Sequence, residues 1–335
     1  MEFHFLPLSR SPFFSTFRSA LRDYASRYAH RRAILIAMAA LVGWTGNWHW
    51  LPELFSHAFY QYALALPALT LLVFYGNAKK YWRWTTLVAM VLVWFPFMLS
   101  FLTGPSDTRP NPPKTRITLL QFNTLRKTEP LAKWLASRAR DVDVVLALEV
   151  DTPFSSVIEA FSGDFPYHIE RFSEDSFGIA LISRYPFAQA RILDTIDPIF
   201  PAVDTVLITP SGPLRLVGIH PPPPVSAEGA ALRNHFMEEL SVSLESDLPT
   251  VVFGDFNSTP WSPKLRAFLS RNGLEDAQRG HGMLSTWPAQ LARYADFLGV
   301  PIDLTLLSPS LTVESRQSGP FLDSDHLPVI TRIRY

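Results

Sequence analysis

The distribution of hydrophobic residues divides the chain into two regions that meet near residue 103. In the first region, residues 33–51, 58–75 and 85–102 form apolar segments without an Asp, Glu, Lys or Arg. A helix needs about 20 apolar residues to cross the hydrocarbon core of a bilayer. The pattern therefore predicts a three-helix transmembrane module over residues 33–102.

Proline and tryptophan positions are compatible with this prediction. Pro67 and Pro96 would break helices in water, but membrane-spanning helices tolerate proline where neighbouring helices satisfy the backbone. Six of the nine tryptophans lie in the first hundred residues, mostly near segment ends, where interfacial aromatic residues concentrate. A buried helical core and a cleaved signal peptide are the alternatives. Three consecutive apolar segments with a late start argue against both.

Basic residues predict the orientation of this module. Six arginines precede the first segment: Arg10, Arg18, Arg22, Arg27, Arg31 and Arg32. The first connection has no Lys or Arg, whereas the second has Lys79, Lys80 and Arg83. The positive-inside rule places the basic N-terminal segment, residues 1–32, in the cytoplasm. Three crossings then predict a multi-pass protein of the inner membrane with the rest of the chain outside, in the periplasm.

The second region has the pattern of an α/β domain. Residues 103–114 contain four prolines and a glycine, which predicts a stiff Pro/Gly-rich linker. From residue 115 to 335, short apolar runs alternate with amphipathic stretches. Strands are predicted at 117–122, 142–148, 179–183, 214–219, 250–253 and 304–307, with a last strand at 327–333. Helices are predicted at 131–140, 227–244 and 263–272. Strands mixed with helices predict an α/β sandwich.

Polar residues stand at the ends of several predicted strands. They are Asn123, Glu149, His220, Asp255, Asn257, Asp303, Asp325 and His326. A single Asn or Asp after a strand is usually a turn residue. Strand ends are also where a sheet brings distant side chains to one cleft. The number of such positions in one domain therefore predicts a functional site.

Charge and cysteine content narrow the choice of function. The formal net charge is zero, but residues 1–104 contain nine Lys/Arg against three Asp/Glu, so residues 105–335 carry a net charge of −6. An acidic domain is a poor non-specific partner for nucleic acid, and it is compatible with binding of divalent cations. The chain has no cysteine, which excludes disulfides, thiolate metal sites and cysteine nucleophiles.

Seven motifs follow one another along this part of the chain, and six of them carry the polar residues. They read LLQFNTL, VVLALEV, GIALISRYP, VGIHPPPP, VVFGDFNSTPWS, PIDLTLL and SDHLPV. From about residue 115 to 335 the chain thus resembles the endonuclease/exonuclease/phosphatase superfamily, in its membrane-anchored bacterial form. The pairing of GDFN with a later SDH is specific. The resemblance implies a four-layer αββα sandwich and hydrolysis of phosphoesters with Mg²⁺ or Mn²⁺.

The resemblance also implies a set of metal ligands. Glu149 is expected to be the principal ligand, with Asn123 beside it and Asp325 supporting the metal indirectly. Hard oxygen ligands of this kind suit Mg²⁺. The chain departs from many nucleases of the superfamily at Leu125 and Leu148, where those enzymes have polar residues. This departure disfavours a nuclease-like metal shell.

The remaining residues are expected to act on the phosphoryl group. By resemblance, Asp255 orients or deprotonates the attacking water, and Asn257 contacts phosphoryl oxygens. His326 stabilises charge on the phosphate, while Asp303 fixes its orientation and tautomer. His220 is expected to bind a phosphate oxygen. Phosphoryl transfer needs charge stabilisation and positioning more than covalent chemistry, which such a set can supply.

The substrate is predicted from the context of the domain. The membrane module, the short linker and the acidic charge favour a membrane-associated phosphate, such as a phospholipid or a polyprenyl phosphate carrier. Apolar segments at 221–224 and 286–288 are candidates for an apolar approach to the cleft. An outward-facing nuclease is the alternative enzyme, and it requires a basic groove built from Arg126, Lys127, Arg171, Arg184, Arg233 and Arg266. An inactive membrane scaffold is the alternative that is not an enzyme, and the intact polar set argues against it.

Overall fold

A computed structural model describes residues 12–76, 78–102, 115–194 and 198–334. The described chain consists of a helical module, residues 12–102, and an α/β domain that begins at Thr115. The predicted linker, residues 103–114, and the first eleven residues of the predicted N-terminal segment lie outside the described residues.

Within the described residues, the α/β domain contains two six-stranded sheets. The strands are β1 (Arg116–Asn123), β2 (Val144–Leu148), β3 (Tyr167–Arg171), β4 (Ile179–Ser183), β5 (Phe187–Leu193), β6 (Ala202–Thr209), β7 (Gly212–Ile219), β8 (Thr250–Asp255), β9 (Glu275–Asp276), β10 (Asp303–Leu307), β11 (Thr312–Ser318) and β12 (Val329–Arg334). The first sheet has the order β11-β12-β1-β2-β4-β3, and the second β5-β6-β7-β8-β10-β9. Both sheets mix parallel and antiparallel neighbours.

One parallel pair lies inside each sheet. Strand β1 runs parallel to β2, and β7 runs parallel to β8. Neighbouring parallel strands end at the same edge of their sheet. The residues that end or follow these four strands are thus brought to one edge of the domain.

The two sheets pack face to face over an apolar core. Leu146 of β2 and Leu216 of β7 lie in this core with Phe253 of β8. Helices α6 (Thr128–Arg138) and α7 (Ser155–Ala160) cover the outer face of the first sheet, while α8 (Ala227–Ser243) and α9 (Pro263–Asn272) cover the second. This arrangement confirms the predicted α/β class, with two sheets between two helical layers.

The predicted helices after β7 and β8 are confirmed to within one residue. The Ser226 hydroxyl accepts a hydrogen bond from Gly229 N at 3.0 Å at the start of α8. Ser262 caps α9 in the same way, and Gly273 ends that helix at φ +61°. Serine at the N-terminus and glycine after the C-terminus are strong helix signals.

Strands β3, β5, β6, β9 and β11 were not predicted from the sequence. Strand β6 carries Asp204, whose buried carboxylate accepts hydrogen bonds from Arg215 of β7 and Arg191 of β5. A buried charge interrupts the apolar run on which strand prediction depends. Much of β5 is exposed, so it has no such run.

The described part of the helical module is divided differently from the prediction. Its α-helices are α1 (Pro12–Tyr24), α2 (His30–Trp44), α3 (Trp50–Ser56), α4 (Phe59–Tyr75) and α5 (Lys80–Leu102). The predicted segment 33–51 is therefore wrong as one helix, because a turn at Thr45–Trp48 separates α2 from α3. At Gly43 an added Cβ would lie 2.8 Å from the backbone nitrogen of Ser56, so the two helices approach too closely for a side chain there.

Three single-helix membrane spans are not supported by the described residues. No single helix among them has the length and apolar character needed to cross a bilayer. Helices α3 and α4 have these properties only when taken together, and they are bent by 57° at their junction. The turn after Trp44 leaves α2 with 15 residues, and α4 has 17, both short of the roughly 20 that a span requires.

The helical module packs against the α/β domain beside two loops. The ring of Trp261 lies 6.4 Å from that of Phe59 and 6.0 Å from that of Phe97. The Gln61 side chain donates hydrogen bonds to the carbonyls of Phe297 and Gly299. The module thus borders residues 258–262, which follow β8, and residues 284–300, which precede β10.

Candidate active site

Strand ends bring most of the predicted site residues to one edge of the domain. Asn123 ends β1 and Glu149 follows β2, while His220 follows β7 and Asp255 ends β8. Strand β10 is antiparallel to β8, and its first residue, Asp303, lies opposite Asp255. The facing edges of the two sheets therefore form one site.

Asp255 lies at the centre of this site and is buried. Its Oδ1 accepts a hydrogen bond from the backbone N–H of Asn257 at 2.8 Å. Its Oδ2 accepts one from Nδ2 of Asn123 at 3.4 Å. The same Oδ2 lies 3.4 Å from Nε2 of His220 and 3.6 Å from Nε2 of His326. One carboxylate thus links both sheets and both histidines.

These contacts keep Asp255 ionised. Burial alone would raise the pKa of Asp255, but the charge of His326 and the hydrogen bond from His220 hold that pKa below its ordinary value. A carboxylate that stays negative in a buried site can orient water or accept a proton from it.

His326 forms a buried pair with Asp303. The Nδ1 atom of the histidine lies 2.8 Å from Oδ2 of Asp303. Burial alone would lower the pKa of His326, but the carboxylates of Asp303 and Asp255 raise it to about 10. His326 is therefore a cation near neutral pH, with Nε2 turned toward Asp255.

Glu149 and Asn123 lie together on one side of the site, where their side-chain oxygens could bind a metal ion. The Asn123 amide donates from Nδ2 to Oε1 of Glu149 at 2.9 Å, and its Oδ1 accepts from the backbone N–H of Leu125 at 3.2 Å. Glu149 has φ +54°, in the left-handed region that few residues other than glycine adopt. Backbone strain of this kind is characteristic of functional sites.

Asp325 borders this pair through its neighbour in sequence. Ser324 donates from Oγ to the carbonyl of Asn123 at 2.7 Å. The Asp325 carboxylate accepts a hydrogen bond from Nε1 of Trp287 at 3.3 Å. Carboxylate and amide oxygens at one strand end are the donor set that Mg²⁺ prefers, so Glu149 and Asn123, with Asp325 nearby, fit such an ion.

A second group of side chains has spacing that a metal could use. Ligand atoms of Asp255, Asp303 and His326 lie within 4.8 Å of one another. A histidine must be neutral to bind a metal. The raised pKa of His326 favours the protonated ring, whereas Glu149 and Asn123 offer oxygen ligands.

Asn257 and His220 complete the site. Asn257 has φ +48°, a conformation that asparagine tolerates better than most residues, and its amide donates to the carbonyl of Pro221 at 3.0 Å. Nδ1 of His220 is buried and has no hydrogen-bond partner within the described residues. The structure thus places all eight predicted residues at or beside one site.

Sequence reasoning missed the contribution of the helical module. Glu53 and His57 reach residues 258–262, directly after Asn257. Glu53 is the only acidic residue between positions 33 and 102, and this isolation was the signal in the sequence that it has a buried partner. An isolated acid in an apolar region usually has a buried partner.

Comparison with known proteins identifies the family. A sequence model described as the Endonuclease/Exonuclease/phosphatase family matches residues 120–326, more than half of the chain. The chain belongs to this family. Members of the family hydrolyse phosphoesters and generally use divalent metals such as Mg²⁺. No curated protein sequence matches the chain.

Solved structures of endonuclease/exonuclease/phosphatase proteins share the fold. A protein of this family from Beutenbergia cavernae DSM 12333 has a TM-score of 0.56 and 19% identity, over 66% of this chain and 72% of that protein. A humanized D. rerio TDP2 has a TM-score of 0.53 and 15% identity, over 66% and 100%. A family member from Bacteroides vulgatus has a TM-score of 0.52 and 17% identity, over 66% and 99%. At these identities the likeness establishes the fold.

Proposed function

We propose that this endonuclease/exonuclease/phosphatase protein is a membrane-attached, divalent-metal-dependent hydrolase of a lipid-linked or other membrane-associated phosphate. The observation that carries the proposal is the position of Asp255. Its ionised carboxylate lies between a cationic histidine, His326, and the oxygen-rich pair of Asn123 and Glu149. A phosphoester between these groups would meet a base, a positive charge and a metal site.

Each residue has a role that follows from its contacts. Asp255 orients the attacking water and accepts its proton, because it remains ionised while buried. The Nε2–H of His326 faces the developing negative charge on the phosphoryl oxygens, and Asp303 holds the ring through Nδ1. Asn257 donates its free amide hydrogen to the same oxygens.

Glu149 and Asn123 would hold the divalent ion, with Asp325 beside them. When bound, Mg²⁺ supplies positive charge that polarises the phosphoryl group and neutralises the transition state. His220 faces Asp255 through Nε2 and borders the same cleft.

An exposed apolar surface supports a membrane-associated substrate. We call it the apolar rim: Trp287, Leu291, Tyr294, Phe297 and Leu298, whose side chains are between 40% and 72% exposed. Trp287 contacts Asp325 at the site, while Gln61 of α4 holds the backbone of Phe297. The rim thus runs from the site to the helical module. Tryptophan and tyrosine are enriched at membrane interfaces because they are amphipathic.

Membrane attachment and orientation belong to the same proposal. The apolar module anchors the chain, with the basic N-terminal segment in the cytoplasm and the catalytic domain on the outer side. The basic residues before the first apolar segment and in the second connection support this orientation, because both are then cytoplasmic. The bent pair of α3 and α4 is the described part of the module with the length and composition of a span.

The direct test is a substrate panel with metal add-back. Purified full-length protein is freed of metal with EDTA and assayed on lipid phosphates in vesicles and on DNA, with and without Mg²⁺. We expect Mg²⁺ to restore lipid phosphate turnover, and Glu149→Gln and Asp255→Asn to lose about 10²-fold or more in kcat. Glu159→Gln, at an exposed position on α7, is the matched control. Activity that survives EDTA, or cleavage of DNA alone, would overturn the proposal.

A nuclease is the second candidate, and one observation favours it. Arg126, Lys127 and Arg171 lie at the edge of the domain that carries the site. A structural relative with a TM-score of 0.51, D. rerio TDP2, was solved in complex with single strand DNA product. Arg184, however, lies at the opposite end of the sheet beside Asp143.

The remaining arginines of the required groove also lie elsewhere. Arg233 is buried against Glu53, and Arg266 borders a cavity between the helical module and the domain. The six basic residues that a nuclease groove requires therefore do not converge. This distribution favours the lipid-linked substrate over nucleic acid.

A further inference from the structure

We propose that Glu53 of α3 and Arg233 of α8 are positioning residues for the catalytic site. They hold residues 258–262, which we call the post-catalytic loop. They thereby fix Asp255 and Asn257, which lie directly before this loop. The helical module is then a structural part of the active site as well as an anchor. This inference rests on the proposed function and deepens it, because it concerns what aligns the catalytic groups.

Glu53 is the centre of the contact between the two parts of the chain. Its side chain is 1% exposed. Oε2 accepts a hydrogen bond from Nη2 of Arg233 at 2.6 Å, and Oε1 accepts one from Oγ of Ser262 at 2.5 Å. Arg233 is 2% exposed and donates from Nη1 to Oγ of Ser258. One ion pair therefore contacts both ends of the post-catalytic loop.

The middle of the loop is also held by the helical module. Oγ1 of Thr259 lies 3.1 Å from Nδ1 of His57, and the backbone N–H of Thr259 points to the same atom at 3.4 Å. The Trp261 ring packs against Phe59 and Phe97. Side chains of α3, α4, α5 and α8 thus contact nearly every residue of a five-residue segment.

Because Glu53 and Arg233 are buried, each residue depends on the presence of the other. Removing one partner of a buried ion pair leaves an uncompensated charge, which is strongly destabilising, whereas replacing both partners is often tolerated. Ser262 also caps α9, so the contact of Glu53 with Ser262 fixes the start of that helix. A shift of Glu53 would be transmitted to the whole loop.

The loop controls geometry at the reacting centre. Asn257 holds a left-handed backbone conformation, and its N–H bonds Oδ1 of Asp255. Residue 258 follows at once and is held by Arg233. Loss of the ion pair therefore lets Asn257 and the Asp255 carboxylate move together. Misplacement of catalytic groups by about 1 Å can lower the rate by about 10²-fold, with less effect on substrate binding.

The experiment compares full-length variants on a soluble substrate, bis(p-nitrophenyl) phosphate, with saturating Mg²⁺. We expect Glu53→Gln and Arg233→Gln each to lower kcat by about tenfold or more, with KM changed by less than about threefold. The double variant, which places two neutral amides opposite each other, should recover kcat to within about threefold of the wild type. Such recovery is not expected if each residue acts alone.

The matched control is another buried ion pair in the same domain. Asp204→Asn removes the partner of Arg215 between β6 and β7, away from the loop. We expect it to lower the melting temperature while leaving kcat of the folded protein unchanged. If Glu53→Gln does not fold, Ser258→Ala removes one contact of Arg233 and should still lower kcat by about threefold or more.

The outcomes separate this inference from the proposed function. If Glu53→Gln and Ser258→Ala keep full kcat while Asp255→Asn is inactive, the positioning role is wrong and the catalytic assignment stands. If Asp204→Asn lowers kcat as much as Glu53→Gln, the effect is only one of stability and the inference is again wrong. If Asp255→Asn remains active, the proposed function itself fails.

Discussion

Asp303 is the residue that keeps His326 charged. The two side chains lie 2.8 Å apart in a buried site, where neighbouring charge has more effect on protonation than it has at the surface. Asp255 adds a second negative charge on the other side of the ring. The pair therefore sets both the orientation and the charge of the ring that we propose to face the phosphate.

Asp303→Asn is expected to shift the pH dependence of catalysis. Without the carboxylate, the pKa of His326 falls from its raised value, so the histidine loses its proton at a lower pH. The alkaline limb of the kcat profile should then move to lower pH by about one unit or more. The measurement is kcat between about pH 6 and pH 10 for both proteins. An unchanged alkaline limb would contradict the role of His326 as a cation.

Asn257 allows backbone strain and side-chain function to be separated. Asn257→Gly keeps the left-handed conformation without strain, whereas Asn257→Ala adds about 1–2 kcal/mol of strain. Both variants lose the amide and its hydrogen bond to Pro221, so we expect equal losses of kcat and a melting temperature that is lower for the alanine variant than for the glycine variant. Kinetics and thermal unfolding measure the two effects. If the glycine variant kept full kcat, the amide would have no role in catalysis.

The site residues in the α/β domain could be predicted because they follow strands. Asn123, His220 and Asp255 each end or follow a buried apolar run, and such runs are visible in the sequence. Glu53 could not be placed in this way, since its partner Arg233 is 180 residues distant in sequence. Only the folded chain brings these two residues together.

At the scale of secondary-structure elements, the two sheets repeat one arrangement. Each sheet has a central parallel pair with an antiparallel strand on either side. In the first sheet the order of these four strands is β12-β1-β2-β4, and in the second it is β10-β8-β7-β6. Asn123 and Asp255 are equivalent in this match, as are Glu149 and His220. Each sheet thus contributes two strand ends to the site.

Elements with continuous apolar runs or clear caps were predicted well, and others were not. Strand β8 and helix α9 are examples of the first kind. Strand β6 is an example of the second, because Asp204 interrupts its pattern. The turn after Trp44 contains Gly46 and Asn47, which are turn residues, but the uncharged segment around them was interpreted as one apolar run. Close helix packing at Gly43 depends on tertiary structure, which periodicity does not report.

The apolar rim is expected to act on lipid substrates only. Leu291→Ser combined with Phe297→Ser should raise KM for a lipid phosphate in vesicles by about tenfold, since each removes apolar area that would be buried at the membrane. The kcat/KM for soluble bis(p-nitrophenyl) phosphate should stay unchanged. Ile208→Ser, at an exposed position on the far end of β6, is the control. Equal losses on both substrates would contradict a membrane role for the rim.

For the whole molecule, charge and polarity differ between the two parts of the chain. The first 104 residues are basic and apolar, while the rest is acidic and folds into two sheets. Contacts at Glu53 and Trp261 join the parts firmly. The proposed orientation therefore places the catalytic site next to the periplasmic surface of the inner membrane.

The lack of cysteine makes this orientation testable. Val225→Cys in the catalytic domain and Phe17→Cys in the N-terminal segment each introduce one thiol at an exposed position. A membrane-impermeant maleimide applied to intact cells should label Val225→Cys, and it should label Phe17→Cys only after the cells are disrupted. Labelling of both or of neither in intact cells would contradict the proposed topology.

The ion pair between Glu53 and Arg233 also governs how the chain can be shortened. A fragment that begins at Thr115 keeps both sheets and all eight predicted site residues, yet it uncovers the Trp261 indole and leaves the Arg233 guanidinium without its acid. Such a fragment would tend to aggregate through that surface. A soluble fragment for crystallography or inhibitor screening would therefore require substitutions at both Trp261 and Arg233, chosen together.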